Sequence, residues 1–299
     1  MEIESWDGAA GGIGAPQALA NALNAYLGTP GLYAVVADPL LGYFDPATET
    51  DSDFIQVAML YKTTTVVPVG NALSSNDLIF DRSPFAAEFE ELATGDQFIV
   101  VVNHFKSKGS CPAVGDPNAD QGDGQGCWNL KRRQQAAALL SFINADLVTL
   151  DPDVLVIGDL NSYGAEDPTN DLIAGGLVNQ VAGFVPEADR YSYVFDGTAG
   201  YLDHALGTPS TTAQITDVSY WHINADEPIV IDYNLEFKGA GLSPDLYEAH
   251  QYRAADHDPV LIGLNLIPAP ITWADDAWIG LPDGTEVTPA FPVGSGTHT

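Results

Sequence analysis

The sequence Val-Ile-Gly-Asp159-Leu-Asn161 ends a short apolar run that is typical of a buried strand. Three further motifs have the same form, with a polar end after an apolar run. Each places a carboxylate, an amide or an imidazole where a strand meets solvent, and layered folds build their sites at such positions. These motifs are Val-Val-Asn103-His104-Phe-Lys106-Ser-Lys108-Gly, Tyr-Leu-Asp203-His204 and Ala-Asp256-His257-Asp258-Pro.

The hydrophobic pattern predicts an α+β fold in which strands and helices do not alternate strictly. Helical spacing of apolar residues predicts helices over 16–27 and 130–145, the second with Ala137, Leu140 and Ile143 on its apolar face. This pattern favours a four-layer sandwich of two packed mixed β-sheets with outer helices. Strands are predicted over 32–37, 54–61, 98–105, 154–157, 191–195, 201–206 and 260–266, with an Asp-Gly turn joining 191–195 to 201–206.

The chain is strongly acidic, with 41 Asp and Glu against 10 Lys and Arg and a formal net charge of -31. An acidic surface of this kind maintains solubility, and it argues against binding nucleic acid by neutralising its backbone alone. The basic residues are concentrated, however, and a local cationic patch would still attract a phosphate chain. Six of the ten lie in one segment: Arg82, Lys106, Lys108, Lys131, Arg132 and Arg133.

Cys111 and Cys127 are the only cysteines, and they flank a loop rich in Asp and Gly. We expect them to form a disulfide rather than to be two unrelated thiols, and a disulfide indicates export to an oxidising compartment. Closing a loop of this length would stabilise the fold by about 3 kcal/mol. No apolar run approaches the ~20 residues of a membrane span.

Residue chemistry suggests roles for the polar motif ends. Asp159 and Asn161 are two apart, so they would face the same side of a strand and position a water or a phosphate oxygen; the alternative is a simple turn. Asp203 would orient His257 as a base, and the alternative is a solvated surface histidine. His104 precedes two lysines, which favours a phosphate-facing role over a buried structural one. His204 would point away from Asp203.

Together these motifs resemble the endonuclease/exonuclease/phosphatase superfamily with the deoxyribonuclease I-like fold, and most of all large extracellular bacterial nucleases. Three further sequence segments support the resemblance: Gly-Asp-Gly-Gln-Gly-Cys-Trp-Asn, Trp221-His222-Ile-Asn224-Ala-Asp226-Glu-Pro and Tyr-Arg253-Ala-Ala-Asp-His-Asp-Pro-Val. The resemblance spans residues 1–266. The remainder, 267–299, is predicted to be a linker leading into a further domain.

The resemblance implies a role for each matching residue. His257, oriented by Asp203, would be the catalytic histidine, and Asp159 and Asn161 would position the nucleophile and phosphate. His104 would assist the leaving oxygen. Further implied residues are the metal ligands Glu2 and Asp256, with Mg²⁺ or Mn²⁺ as the ion, and the phosphate contacts Arg82, Lys106 and Lys108.

Asp116, Asp120 and Asp123 would either hold a structural Ca²⁺ or form a solvated acidic loop. The family's first strand should begin before Glu2, so we expect that strand to be incomplete here and a secretion signal to lie upstream.

The function expected from the resemblance is metal-dependent hydrolysis of DNA, with RNA as a second substrate, outside a bacterial cell and without a stable protein partner. Two alternatives stay open. One is hydrolysis of another phosphate ester, of the inositol-lipid or sphingomyelin type. The other is a non-catalytic surface module that keeps the fold.

Overall fold

The computed structural model describes residues 2–4, 14–37, 55–231, 246–247 and 249–266, which belong to one compact unit, Met1–Ile267. The segment 267–299 lies outside the described residues, as does the side chain of Glu2. The predicted division at residue 266 therefore stays a prediction. Among the helices that the structure describes, none has the length and apolarity that crossing a bilayer requires.

Strands and helices follow one another without strict alternation, as predicted. The strands are β1 (Glu2–Glu4), β2 (Tyr33–Val35), β3 (Ile55–Val57), β4 (Leu60–Lys62), β5 (Val66–Ser74), β6 (Phe85–Glu91), β7 (Gln97–His104), β8 (Val154–Asp159), β9 (Val178–Asn179), β10 (Tyr193–Phe195), β11 (Thr198–Gly200), β12 (Asp203–Gly207), β13 (Ile215–Tyr220) and β14 (Val260–Leu264). The α-helices are α1 (Gly14–Tyr26), α2 (Asn129–Phe142), α3 (Asp167–Ala174), α4 (Gln180–Phe184) and α5 (Pro209–Thr212).

A six-stranded mixed sheet forms the centre of the unit, in the order β5-β6-β7-β8-β12-β9. Strands β7 and β8 pair in parallel, and the other neighbours are antiparallel. Both central strands are nearly continuous apolar runs because both of their faces are covered. The polar residues at the end of each strand are therefore the first residues of that strand that can take part in a reaction.

A second layer of strands covers one face of the central sheet. Within the described ranges it consists of three antiparallel ladders, β1–β3, β2–β4 and β13–β14. Two apolar cores fill the space between the layers. Val57 and Met59 pack with Val102 in one core, and Ile215 and Val218 pack with Ala205 in the other, together with other apolar residues.

Helices cover the opposite face, and α2 contributes three side chains to this third core. Its buried apolar side chains are Ala136, Leu139 and Phe142. Of the predicted face, Ile143 is buried just after α2 and Leu140 packs against the core, but Ala137 is exposed, so the buried stripe of α2 is centred one residue earlier than predicted. The reason is that two polar side chains share the buried stripe and hide it from hydropathy. These are Arg132, which donates to the main-chain oxygens of Lys106, Gln125 and Cys127, and Gln135, which accepts from Lys106 N.

The four layers agree with the predicted α+β sandwich. Helix α1 contacts β1 and β2, next to the second strand layer, while α2 and α3 pack against each other on the helix-covered side of the central sheet. A π-helical turn, Ile143–Leu147, continues α2 and buries its own Ile143 and Leu147. Each strand layer thus has helical neighbours, which the predicted architecture requires.

Two predictions about the strands were wrong, one about a pairing and one about a strand's extent. The Asp196-Gly197 turn exists, with φ of 53° and 76°, but it joins β10 to β11 rather than to β12. Strand β12 leaves that hairpin and pairs with β8 instead, because its apolar residues complete the central sheet. The predicted strand 54–61 is divided into β3 and β4, which belong to different ladders.

Gly158 is required for the pairing of β7 with β8. Its φ is 117°, a value that residues with a Cβ rarely adopt. A Cβ built there would lie 2.2 Å from the carbonyl oxygen of Asn103. The glycine of the Gly-Asp-Leu-Asn motif therefore permits close approach of two backbones directly before Asp159.

Replacing Gly158 by Ala should lower the free energy of unfolding by more than about 3 kcal/mol, because strain and backbone overlap act together. Gly176→Ala is the matched control: its φ is 106° but nothing lies within 4 Å of the added Cβ. We expect it to cost about 1–2 kcal/mol. Urea unfolding of both variants measures the difference, and equal losses would contradict the proposed overlap.

Candidate active site

Strand register brings three polar residues into one row at the edge of the central sheet. His104 is opposite Asp159 in the parallel pair β7–β8, and Asp159 is opposite Asp203 in the antiparallel pair β8–β12. Residues two apart in a strand face the same side of the sheet. Val102, Ile157 and Ala205, which are each two residues from one of these polar residues, pack toward the second strand layer. The three polar side chains therefore face that layer too. The predicted residues His104, Asp159 and Asp203 therefore lie side by side.

His257 joins this row through Asp203. Its Nδ1 lies 2.7 Å from Asp203 Oδ2, and the same oxygen accepts a hydrogen bond of 2.6 Å from Ser192 Oγ. The hydroxyl of Tyr220 donates to the main-chain oxygen of Asp203 at 2.5 Å. These contacts hold the carboxylate, which in turn sets the orientation of the imidazole.

Carboxylates dominate the electrostatics of His257. Burial by itself lowers the pKa of the imidazole, but the hydrogen bond to Asp203 and the nearby charges of Asp203, Asp159 and Asp256 raise it to about 10. In the chain without bound ions, His257 therefore carries a proton at neutral pH. A site with this much negative charge favours a cation.

His104 has the opposite character. Its ring is buried, and its Nε2 lies 3.6 Å from Asp159 Oδ2. Burial, helped by the positive charges of Arg82 and His257, lowers its pKa to about 3. The two histidines of the row are thus held in different protonation states at pH 7.

Asn161 reaches Asp159 by a turn rather than along a strand. Strand β8 ends at Asp159, and Asn161 has a left-handed φ of 47°. Its Nδ2 donates to Asp159 Oδ2 at 2.8 Å and to the main-chain oxygen of Phe105 at 3.1 Å, and its N–H donates to Asp159 Oδ1. The predicted proximity is present, but the period-two argument for it was wrong.

A loop after β13 supports His257, and sequence reasoning assigned it no role. Asp258 is buried and accepts from the N–H groups of Ile223, Asn224 and Ala225. Asn224 Nδ2 donates to the main-chain oxygen of His257 at 2.8 Å. The sequence Asp-His-Asp-Pro could have indicated this support, because a second carboxylate beside a histidine needs hydrogen-bond partners when it is buried.

His222 completes this support from the same loop. Its Nδ1 lies 2.9 Å from Asp258 Oδ2, and its ring stacks on Tyr191 with centroids 3.8 Å apart. Tyr191 donates its hydroxyl to Asp226 at 2.7 Å. The loop is therefore tied both to the segment that carries His257 and to the chain just before β10.

Most predicted phosphate contacts have structural partners. The Lys108 ammonium pairs with Glu166 at 2.6 Å, donates to Gln125 O and lies 5.3 Å from the Tyr163 ring centroid. The Lys106 ammonium lies 5.0 Å from the Trp128 ring centroid, and Arg82 is half-buried. The rest of the predicted cationic patch is engaged as well: Lys131 with Asp81, Arg133 with Asp171, and Arg132 with buried carbonyl oxygens.

The disulfide between Cys111 and Cys127 is present, as predicted. Inside its loop each predicted calcium ligand accepts from a backbone N–H two residues on: Asp116 from Asn118, Asp120 from Gly122, and Asp123 from Gln125. Within the described ranges, no three His, Cys, Asp or Glu side chains are grouped to hold a metal ion. The Ca²⁺ site therefore stays a prediction.

Of the two predicted metal ligands, Asp256 is exposed beside His257, whereas the Glu2 side chain lies outside the described residues. The backbone of Glu2 pairs with Val57 in the second layer. His204 faces away from the row, as predicted, and contacts Ser162 O with Nε2 at 2.7 Å.

Comparison with known proteins decides the family. The sequence model described as "Endonuclease/Exonuclease/phosphatase family" matches residues 17–257, most of the chain. The chain belongs to the endonuclease/exonuclease/phosphatase family. Members of this family are phosphoester hydrolases. No curated protein matches the chain.

The chain is similar to several solved structures. The mannosyl-6-phosphatase of Bacteroides thetaiotaomicron is 14% identical, with 84% of this chain and 82% of that chain covered and a TM-score of 0.51. A family protein from Bacteroides vulgatus is 15% identical over 83% and 80%, with a TM-score of 0.46. The 3′ phosphatase NExo from Neisseria, bound to a product DNA hairpin, is 19% identical over 67% and 72%, with a TM-score of 0.40.

The similarity to the mannosyl-6-phosphatase concerns the fold alone. The predicted relation of this family member to large extracellular nucleases therefore stays a prediction.

Lowering the pH should destabilise this family member through His204. Burial lowers the pKa of the ring from 6.5 to about 4, so only the neutral form fits the folded state. Its contribution is complete above pH 6.5 and is lost as the pH falls toward 4, by up to about 1.4 kcal/mol per pH unit. Urea unfolding between pH 7.5 and 4.5 measures this slope. His204→Gln should reduce the slope without abolishing it, because the pKa of His104 is lowered as well, and parallel curves for the two proteins would contradict the assignment.

Lys108 and Lys106 should differ in what their replacement does. Lys108→Met leaves the buried Glu166 carboxylate unpaired, which should lower the free energy of unfolding by about 2–4 kcal/mol. Lys106→Met removes one contact with an aromatic ring and should cost no more than about 1 kcal/mol. Thermal and urea unfolding of both variants test this, and an equal loss would show that the Lys108–Glu166 pair is not structural.

Proposed function

We propose that the chain is an exported, metal-dependent phosphodiesterase that hydrolyses DNA, with RNA as a second substrate. The observation that carries the proposal is the row His104, Asp159 and Asp203, extended by His257. It joins an oriented imidazole, a neutral imidazole and two carboxylates at one sheet edge. Family membership supports hydrolysis of a phosphoester; the choice of nucleic acid is the finer part of the proposal.

The donor groups fit a hard divalent cation. Asp256 would hold Mg²⁺ or Mn²⁺ together with Glu2, and the carboxylates of Asp159, Asp203 and Asp256 are close enough to raise the pKa of His257. Mg²⁺ is commonly bound by one or two carboxylates, with waters and substrate phosphate oxygens as its other ligands, so a complete protein cage is not required. When bound, the cation would neutralise charge on the phosphate and lower the pKa of His257 toward neutrality.

His257 would then take a proton from the attacking water. Its Nδ1 is occupied by Asp203, so Nε2 is the atom that accepts the proton, and Asp203 stabilises the imidazolium that forms. Asp159, held by Asn161, would orient the water for in-line attack. The Asp203–His257 pair therefore determines both the direction and the protonation of the base.

His104 would act on the opposite side of the phosphate. Because its pKa is about 3, it is neutral at pH 7 and donates a hydrogen bond to a phosphate oxygen rather than a full proton. Arg82 and Lys106 would add positive charge near the phosphate. Lys108 would contribute through the position of Glu166 and Tyr163.

Export is supported by the disulfide, because disulfides persist in oxidising compartments. The acidic composition is compatible with this location, since a high net charge keeps an exported protein soluble.

Plasmid cleavage with Mg²⁺ or Mn²⁺ tests the activity. We expect cleavage to stop with EDTA and to fall at least 100-fold in His257→Ala and Asp203→Asn, because a positioned base contributes about 10²–10⁴ to the rate. Asp171→Asn, which removes a carboxylate from a surface ion pair with Arg133, is the matched control and should retain full activity.

The outcome separates the alternatives. If a folded protein cuts neither DNA nor RNA but hydrolyses inositol-lipid or sphingomyelin substrates with metal, the substrate class is wrong. If it hydrolyses none of them, the chain is a non-catalytic module. Cleavage that persists at the same rate in EDTA would refute metal dependence.

A further inference from the structure

A row of neighbouring rings leads from His257 to the protein surface. The Tyr193 ring lies beside that of His257, with centroids 4.6 Å apart and planes tilted by 32°, and the Phe195 ring is nearly parallel to that of Tyr193, with centroids 6.4 Å apart and planes 17° apart. Phe195 is 63% exposed although it is large and apolar. Tyr193 and Phe195 are two apart in β10, so they share one face of the strand.

The hairpin that carries these rings is firmly held. Asp196 and Gly197 both have positive φ, the geometry of a tight two-residue hairpin turn. At the base of the hairpin, Gly200 lies so close to the Tyr163 ring that a Cβ there would be 2.7 Å from it. Ser192, which precedes β10, is buried and bonded to Asp203. The rings are therefore presented in a fixed position beside the base.

Charge alone does not explain how a nucleic acid would be held here. The net charge is -31, and four of the six clustered cations are engaged with carboxylates or buried carbonyl oxygens. Affinity from backbone neutralisation grows with the number of phosphates contacted, and few cations remain for that purpose. A flat aromatic surface supplies affinity that does not depend on charge, since every base offers a π-face.

We propose that Tyr193 and Phe195 form a stacking subsite for an unpaired nucleobase, next to the phosphate that is attacked by the water that His257 activates. Bases within a duplex are already stacked on one another, so their faces are not available to Phe195. The subsite therefore makes the chain prefer single-stranded or frayed nucleic acid over intact duplex. This inference rests on the proposed nuclease function and adds the form of its substrate.

Binding in EDTA, where cleavage is stopped, tests the subsite without requiring activity. Three dye-labelled probes of equal length are compared by fluorescence anisotropy: a single-stranded DNA, the same strand with every base replaced by an abasic linkage, and the duplex. The chain should bind the base-bearing single strand at least 10-fold more tightly than either of the others.

Variants locate the effect at the hairpin. Phe195→Ala should weaken binding of the base-bearing strand roughly 10- to 100-fold and leave the abasic strand unchanged, as expected for the loss of one base–aromatic contact. Phe195→Trp should retain the affinity. Tyr26→Ala, which removes an exposed ring at the end of α1, is the matched control and should change nothing.

Salt dependence gives a second, independent readout. If stacking dominates, the logarithm of the binding constant should fall with the logarithm of salt concentration by a slope no steeper than about -2, because each phosphate contact on a single strand adds about -0.7. A slope steeper than about -4 would show that charge carries the binding and would overturn the proposal.

Failure of this inference can be distinguished from failure of the proposed function. The inference is wrong if the abasic strand or the duplex binds as well as the base-bearing strand, or if Phe195→Ala binds as tightly as the parent. Neither result affects plasmid cleavage. If cleavage is absent but Phe195-dependent binding is found, the subsite stands and the hydrolytic function is wrong.

Discussion

The parallel pairing of β7 with β8 is the constraint on which the site depends. Parallel neighbours end at the same edge of a sheet, so their last residues, His104 and Asp159, are brought side by side. Strand β12 begins at that edge because it runs antiparallel to β8, which adds Asp203. The close backbone approach at Gly158 permits this register.

Hydrogen bonding at buried polar groups holds His257 in place. Asp258 satisfies three consecutive N–H groups of the loop after β13, and Asn224 returns a hydrogen bond to His257 O. Networks whose donors and acceptors are satisfied favour a single arrangement, whereas an unmade bond in the interior is costly. The imidazole is thus positioned from both sides, by Asp203 at its ring and by Asn224 at its backbone.

The same physical terms give the two histidines of the row opposite properties. Burial disfavours the charged form of both. At His104 burial prevails and neighbouring positive charges add to it, whereas at His257 three carboxylates outweigh it. Three carboxylates thus lie close to His257, and the clustered basic residues of the chain largely stabilise the helices and loops around the site.

The sequence by itself determined the α+β class, the central strands, the disulfide and the polar residues of the row. These properties are written in local patterns: apolar runs, a cysteine pair, and polar groups at strand ends. Only the tertiary structure decided that β12 pairs with β8, that Lys108 is paired with Glu166, and that Asn224 supports His257. The reason is that hydrogen bonds and ion pairs between distant segments depend on which surfaces pack together. A local pattern of hydropathy does not specify which distant segment will be the partner.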